Sequence, residues 1–308
     1  MIKISKKTLQ DLEYELVVEQ IAKLNVTSLG KTKILNTVPF SNRNEVSRSL
    51  NLTNEFLTSF ENENRIPNHG FEDITKELKL IKIENNYLEI NGFRKIASCC
   101  ITSNILIKFF KKHKDYYPLL NTLSSTNEIN TIIPDAINDV IDKHGEIRNN
   151  ASDLLHTTRK SIQSVRTKVN SSFNSALSTY NSAEYLDDIR ETVMENRRVL
   201  AVKSMHRRKV KGSILGSSKT GSIVYIEPET THLHQRELNN LEFEETEEIK
   251  RILLELTSLI SVYSDYLSKC QFYLTEMDVI YAKAKYAKSI QAVLPKITET
   301  QEIYLVDA

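Results

Sequence analysis

Two long stretches of the chain carry apolar residues at the three- and four-residue steps of a helix face. Neither stretch, 146–211 or 229–294, contains Gly or Pro. The helical stripe of the first consists of Ile147, Ala151, Leu154, Thr158, Ile162, Val165, Val169, Phe173, Ala176 and Tyr180. Those of the second are Leu238, Leu241, Ile249, Ile252, Leu256, Leu259, Tyr263 and Tyr266. The pattern predicts two long helices, the first of about 40 residues and therefore roughly 60 Å long.

A segment with a different periodicity lies between these helices. Val and Ile are concentrated at 199–203, 210–215 and 222–226, and Gly212, Gly216 and Gly221 interrupt them. Short β-branched segments separated by glycines are typical of strands joined by tight turns. The segment therefore predicts a small antiparallel β element at the far end of the helix pair.

Before Gly145, Gly and Pro residues divide the chain into short helical segments suited to a bundle. The sequence thus predicts a mainly α fold in three parts. Residues 1–145 with 263–308 form a helical core bundle. Residues 146–185 with 231–262 form a long lever, an antiparallel two-helix coiled coil. Residues 186–230 form a small antiparallel β clamp at the tip of this lever.

The overall charge is nearly balanced, with 41 Lys and Arg against 40 Asp and Glu, so only its local distribution is informative. Residues 190–221 carry nine basic and two acidic residues, a net charge of +7, whereas 230–260 carry seven Glu and three basic residues, a net charge of −4. A cationic tip on an acidic shaft favours binding of a nucleic acid through its phosphates. The candidate nucleic-acid-binding residues are Arg197, Arg198, Lys203, Arg207, Arg208, Lys209, Lys211 and Lys219.

An alternative for part of this set is that Arg207, Arg208 and Lys209 only solubilise an exposed hairpin or pair with Glu227 and Glu229. If about five cations each neutralised a phosphate, binding would weaken roughly 500-fold between 50 and 200 mM salt. Spacing alone does not choose between the two interpretations.

Three local patterns resemble functional motifs without their full requirements. Residues 216–221 read Gly-Ser-Ser-Lys-Thr-Gly, but Ser222 stands where a phosphate-binding loop has Lys, so we expect a hairpin turn. Phe243 and Glu245 form a Phe-x-Glu pair inside the acidic helix, where we expect a packed Phe. His232 and His234 are two apart, which places them on different helix faces and disfavours a metal site.

Nothing in the residue spacing assigns a catalytic acid, base or nucleophile, so we expect no catalytic residue and no cofactor or metal held by this chain. The three cysteines, which include Cys99 and Cys100 in an apolar run, indicate reduced buried thiols. Because no signal peptide and no apolar stretch of 18 residues is present, we expect a cytoplasmic protein without a membrane partner.

Residues along most of the chain resemble the type-two branch of the MutS family, the branch that does not perform mismatch repair. The resemblance is carried by Leu29–Lys31, Gly145–Arg148, Ala151, Ser152, Gly212, Ser218, Gly221, Tyr225–Pro228, Glu237, Leu238 and 278–287. Gln235 and Arg236 stand where the family often has an Asn pair.

The resemblance implies the core, lever and clamp of an ATP-gated homodimer that closes around branched nucleic acid, in recombination control, or around collided ribosomes, in ribosome rescue. It also implies that the ATPase domain, which holds ATP and Mg, would begin almost where this sequence ends, and a C-terminal nuclease domain could follow it. The chain itself would then not be an enzyme. Two other interpretations stay open: a structural coiled-coil module for protein interaction or dimerisation, and a self-contained enzyme, which no motif supports.

Overall fold

The fold is mainly helical with one small antiparallel sheet, as the sequence predicts; a computed structural model describes residues 4–298 and Tyr304. The helices are α1 Lys6–Asp11, α2 Tyr14–Ala22, α3 Ser28–Leu35, α4 Arg43–Ser59, α5 Thr75–Leu80, α6 Ile90–Lys112, α7 Pro118–Ser124, α8 Ile132–Val140, α9 Asp153–Ser182, α10 Glu229–Ser261 and α11 Ser264–Ser289. The strands are β1 Leu186–Met194, β2 Arg197–Lys203, β3 Gly212–Ser217 and β4 Ile223–Pro228. Among the described residues, none of the helices combines the length and the hydropathy that a membrane-spanning helix requires.

The described residues group into two compact units, Met1–Glu146 with Leu253–Ala308, and Ile147–Ile252. The division into core, lever and clamp given above stays a prediction, because the grouping does not separate a lever from a clamp. Helix α10 contributes residues to both units. All the candidate nucleic-acid-binding residues lie in the second unit.

The first unit is a helical bundle in which α11 packs against α3, α4 and α6. A buried carboxylate, Asp278 on α11, holds the loop before α3: it accepts hydrogen bonds from the backbone N–H of Val26 at 2.9 Å and of Thr27 at 3.0 Å. Burial acts to raise the pKa of Asp278, but contacts with His69 and Thr27 outweigh it and lower that pKa. The bundle is therefore tied together by one ionised group as well as by apolar packing.

The two long helices of the second unit lie side by side and antiparallel. Four contacts join α9 to α10 in reverse order along the two helices, at Ser152–Glu248, Arg159–Glu245, Arg166–Glu242 and Ser172–Thr230. Between these polar contacts, Ile162 and Val165 pack against Leu238. The antiparallel pairing predicted from the apolar stripes is confirmed.

The first long helix is shorter than predicted: α9 has 30 residues, about 45 Å at 1.5 Å per residue, and begins at Asp153 rather than near Ile147. The Asp142 side chain accepts hydrogen bonds from the N–H groups of His144 and Glu146, and this local turn competes with a helix. The Ser152 hydroxyl then accepts from the N–H of Leu155 and caps the helix that follows. Leu155 is buried, and Leu154, assigned to the stripe, is 56% exposed.

The second predicted long helix is interrupted at residues 262 and 263, between α10 and α11. There the Ser261 hydroxyl donates to the carbonyl of Ser258 at 2.7 Å, and the N–H of Tyr263 donates to the carbonyl of Ile260 at 2.9 Å. These short-range bonds tighten the last turn of α10 and end it. The continuous apolar pattern concealed the break because Leu267 resumes the helical spacing at once.

The sheet has the strand order β1-β2-β4-β3, with every neighbouring pair antiparallel. Strand β1 was not predicted, because its register shifts between Leu186 and Glu191 and Arg190 has a positive φ, which interrupts the alternation of a regular strand. Phe173 of α9 packs into the apolar face of the sheet with Leu200, Val202, Val224, Ile226 and their neighbours. A Cβ built on Gly216 of the edge strand β3 would lie 2.9 Å from Cε of Met194 on the opposite edge strand β1, so the absence of a side chain at Gly216 leaves room for that methionine.

Candidate nucleic-acid interface

The eight predicted cations fall into two groups with different surroundings. Arg197 and Arg198 begin strand β2, whereas the other six lie at the end of β2, in the segment before β3, and in the turn before β4. The second group is called the cationic loop set and consists of Lys203, Arg207, Arg208, Lys209, Lys211 and Lys219.

Arg197 and Arg198 are held by neighbouring carboxylates. Nη1 of Arg197 lies 3.1 Å from Oε2 of Glu227, which is buried at the end of β4. Arg198 donates twice to one oxygen of Glu191, at 2.7 and 3.0 Å, and its guanidinium lies 4.2 Å from the ring centroid of Phe173. A phosphate that bound either arginine would compete with a carboxylate already in place.

The cationic loop set has a different environment. Five of its members are exposed and Lys203 is half-buried, and the structure shows no salt bridge between any of the six and a carboxylate of residues 4–298. The alternative that Arg207, Arg208 and Lys209 pair with Glu227 and Glu229 is not what the structure shows, because Glu227 contacts Arg197 and His232 and no salt bridge of the described residues joins Glu229 to these cations. That the three only solubilise the hairpin stays an alternative prediction. The positive charge of this set is therefore open to an anion from outside the described residues.

Five of the six cations lie in the segment 203–211, called the cationic loop, whose backbone is fixed at both ends. The N–H of Lys203 donates to the carbonyl of Tyr185 at 3.0 Å, and the N–H of Ser204 to the carbonyl of Ser222 at 2.9 Å. After the one-turn 3-10 helix Ser204–His206, Val210 is buried in the apolar cluster, and the N–H of Lys211 donates to the Tyr180 hydroxyl at 3.2 Å. These five cations, all of the set except Lys219, are thus presented on an anchored segment.

Three aromatic rings pack against one another beside the cationic loop, and the sequence analysis did not identify this cluster. The rings of Tyr180 and Tyr185 are stacked with centroids 6.5 Å apart, and the His206 ring lies 4.8 Å from Tyr185. Lys209 lies over the same Tyr185 ring, 5.1 Å from its centroid. These residues lie up to 29 positions apart in the sequence, and only the fold brings them together; the one available signal was their position at the borders of the β segment.

The Gly-rich segment 216–221 forms a hairpin turn, as predicted. The N–H of Gly221 donates to the carbonyl of Ser218 at 2.9 Å, and strand β4 follows instead of a helix. A phosphate-binding loop needs a following helix N-terminus and a Lys, so this segment does not fit a nucleotide.

The other residues that resemble functional motifs are His232, His234 and Phe243. His232 lies 3.7 Å from Glu227 and His234 3.9 Å from Glu237, and within the described ranges no group of His, Cys, Asp or Glu could hold a metal ion. The prediction that Phe243 is packed is wrong, because that side chain is 66% exposed. Its neighbours Glu242 and Glu245 form the ion pairs with α9, and Phe243 lies on a different face of α10.

The acidic helix is partly neutralised by its neighbour. Arg159 of α9 lies 2.7 Å from Glu245, and Arg166 of α9 lies 2.8 Å from Glu242. The net charge of −4 counted along α10 alone therefore overstates the repulsion between the helix pair and a phosphate. The contrast with the cationic loop set remains, because that set concentrates six cations within residues 203–219 and none of the six forms a salt bridge with a described carboxylate.

Comparison with known proteins gives a consistent set of relatives, although no protein-family model matches the chain. The chain is 27% identical over 302 residues to a protein of Alkaliphilus oremlandii, 28% over 305 residues to one of Geobacillus sp. WCH70, and 28% over 310 residues to one of Pediococcus pentosaceus. Each is named "Endonuclease MutS2". The matches cover 97–99% of this chain but only 38–39% of each relative. The predicted resemblance to the type-two MutS branch is confirmed.

Proposed function

Because the chain is similar over nearly its whole length to part of the type-two MutS proteins, we propose that it binds nucleic acid through the cationic loop set. Lys203, Arg207, Arg208, Lys209, Lys211 and Lys219 would contact phosphate oxygens. Arg197 and Arg198, which the sequence analysis included, would support the site by fixing the start of β2 against Glu227, Glu191 and Phe173.

The observation that carries this proposal is a group of uncompensated cations on an anchored loop. A cation without an internal partner gains the full benefit of releasing the counterions condensed on a nucleic acid. A cation already paired with a buried carboxylate would first have to leave it. An anchored backbone also reduces the conformational entropy lost on binding.

Phosphate contacts carry no sequence information, so selectivity would come from the shape of the target. We propose a target with crossing or crowded backbones, namely branched DNA or the ribosomal RNA of collided ribosomes. In a larger assembly the chain would act within an ATP-gated homodimer, with ATP, Mg and any nuclease chemistry supplied by regions that correspond to the rest of the relatives. The relatives' name states an endonuclease, and in this proposal any such activity belongs to those regions and not to the residues of this chain.

One observation weighs against the alternative of a coiled-coil interaction module. The apolar stripe that would recruit a partner helix is already covered within the chain, since Ile162, Val165 and Leu238 are buried between α9 and α10. A partner helix would have to displace one of these helices or bind the polar faces. The alternative therefore predicts protein binding that is insensitive to the cationic loop.

The test is a salt titration of binding to a four-way DNA junction and to a ribosomal RNA fragment, measured by fluorescence anisotropy. Binding should weaken linearly in log–log coordinates as salt rises. The triple substitution Arg207→Ala, Arg208→Ala, Lys209→Ala should lower the slope by about 2.7, because each phosphate contact contributes about 0.9.

A matched control removes the same charge from exposed positions of α9 and α10: Lys160→Ala, Lys168→Ala and Arg236→Ala. This variant should keep nearly the original slope. Equal slopes for the two triple variants would contradict the proposal, as would binding by the unsubstituted chain that does not depend on salt. The ratio of junction to ribosomal RNA affinity would distinguish the two proposed targets.

A further inference from the structure

The most exposed large apolar side chain of the cationic loop is Met205. It is 80% exposed, although the residues on either side of it are half-buried. Burying a methionine side chain is favourable, and such a side chain left in water at the centre of a charged loop has no structural function in the described chain. Its exposure is explained if the Met205 side chain contacts another molecule.

The surroundings of Met205 define the chemistry of that contact. Lys203 precedes it by two positions, and Arg207, Arg208 and Lys209 follow within four, with no described carboxylate paired to any of them. An apolar protein surface would leave these cations desolvated and without partners. A nucleic acid offers phosphates to the cations and the flat apolar faces of its bases to the methionine.

The segment that carries Met205 is held by contacts with the sheet and with an aromatic pair. Met205 is the central residue of the one-turn helix Ser204–His206, in which Ser204 is bonded to Ser222 and the His206 ring lies against Tyr185. Tyr185 in turn stacks on Tyr180 at the end of α9. These contacts with the aromatic pair and the sheet position Met205 before a ligand binds.

Base faces are accessible only where stacking is interrupted, at an unpaired nucleotide, a bulge or a branch point. We propose that Met205 is a wedge that packs against an exposed base at such a discontinuity, while the cationic loop set holds the adjacent phosphates. This inference rests on the proposed nucleic-acid binding and adds the feature of the target that is recognised. It assigns discrimination to Met205 and affinity to the cations.

The test compares a fully paired duplex with the same duplex carrying a two-nucleotide bulge, each made as DNA and as RNA, with 2-aminopurine in the bulge. Met205→Ala should lose about tenfold in affinity for the bulged duplex, the order of effect expected when a methionine side chain is no longer buried, and little for the paired one. The salt slope should not change, because no charge is removed. Met205→Leu should retain the preference and the change in 2-aminopurine fluorescence.

Leu233→Ala is the matched control, since Leu233 is 72% exposed but lies on α10 outside the cationic loop. Neither alanine substitution should change the melting temperature, because both side chains are exposed. If the unsubstituted chain shows salt-dependent binding but Met205→Ala keeps its preference for the bulge, the wedge is refuted and the proposed function stands. If no salt-dependent binding to either duplex occurs, both are refuted.

Discussion

The hydroxyl of Ser152 donates a hydrogen bond to Oε1 of Glu248, with 2.6 Å between the two oxygens, and so joins the start of α9 to α10. The same hydroxyl oxygen accepts from the N–H of Leu155 and caps α9. Arg251 donates to both oxygens of Glu248 at 2.6 and 2.7 Å. One buried carboxylate thus fixes the first turn of one helix, its contact with the second helix, and an arginine of that second helix.

Glu248 should make the stability of the helix pair dependent on pH. The hydrogen bonds from Arg251, against the opposing effect of burial and with help from Ser152, lower the pKa of Glu248 to about 2. A folded pKa below the unfolded value of about 4.3 gives a stabilisation that is present above pH 4.3 and is lost as the pH falls towards 2. Urea unfolding between pH 7 and pH 2 should show this loss.

Glu248→Gln should be about 1–2 kcal/mol less stable than the unsubstituted chain at pH 7, and it should lack this part of the acid dependence. Glu244→Gln is the control, because Glu244 is exposed on the same helix, and its profile should follow that of the unsubstituted chain. Identical acid profiles for Glu248→Gln and the unsubstituted chain would contradict the assignment.

Gly30 should not tolerate a side chain. A Cβ built there would lie 2.1 Å from Oδ2 of Asp278, the oxygen that binds Thr27. Gly30→Ala should therefore lower the free energy of unfolding by about 3 kcal/mol, as overpacking of a rigid polar core does. Gly70→Ala, whose Cβ would meet only side-chain atoms at 3.2 Å or more, should cost clearly less in the same denaturation experiment. Equal losses would show that the carboxylate can move aside.

Two phenylalanines of the helix pair should differ sharply in their effect on stability. Phe173 is 1% exposed, packs into the sheet cluster and lies under the Arg198 guanidinium, so Phe173→Ala should cost about 3–5 kcal/mol. Phe243 is 66% exposed, and Phe243→Ala should stay within about 0.5 kcal/mol of the unsubstituted chain. Chemical denaturation with a probe in the sheet would measure both, and a large loss at Phe243 would contradict its observed exposure.

The three cysteines should be unreactive in the folded chain. Cys99, Cys100 and Cys270 are fully buried, and burial raises the pKa of each thiol. Since the thiolate is the reactive form, Ellman's reagent at pH 8 should label the native protein very slowly. Three thiols per chain should react after unfolding in urea. Rapid labelling of any one of them under native conditions would reveal local opening of the bundle.

The helix pair could be predicted because apolar residues repeat along each helix independently of the other. The same information could not place the helix ends. Asp142 and Ser152 delay the start of α9, and Ser261 helps to end α10, through single hydrogen bonds that a repeat of apolar positions does not contain. Strand β1 escaped prediction for a similar reason, because its bulge breaks the alternation.

For the candidate site, the sequence determined the number of cations, their concentration between residues 190 and 221, and the contrast with an acidic neighbouring helix. Only the tertiary structure decided which of them are available. Arg197 faces Glu227, 30 positions further along the chain, whereas Arg207 has no described carboxylate beside it. The physical reason is that ion pairing falls off within a few ångströms, and distances of that size between residues remote in sequence are fixed by strand register and helix packing.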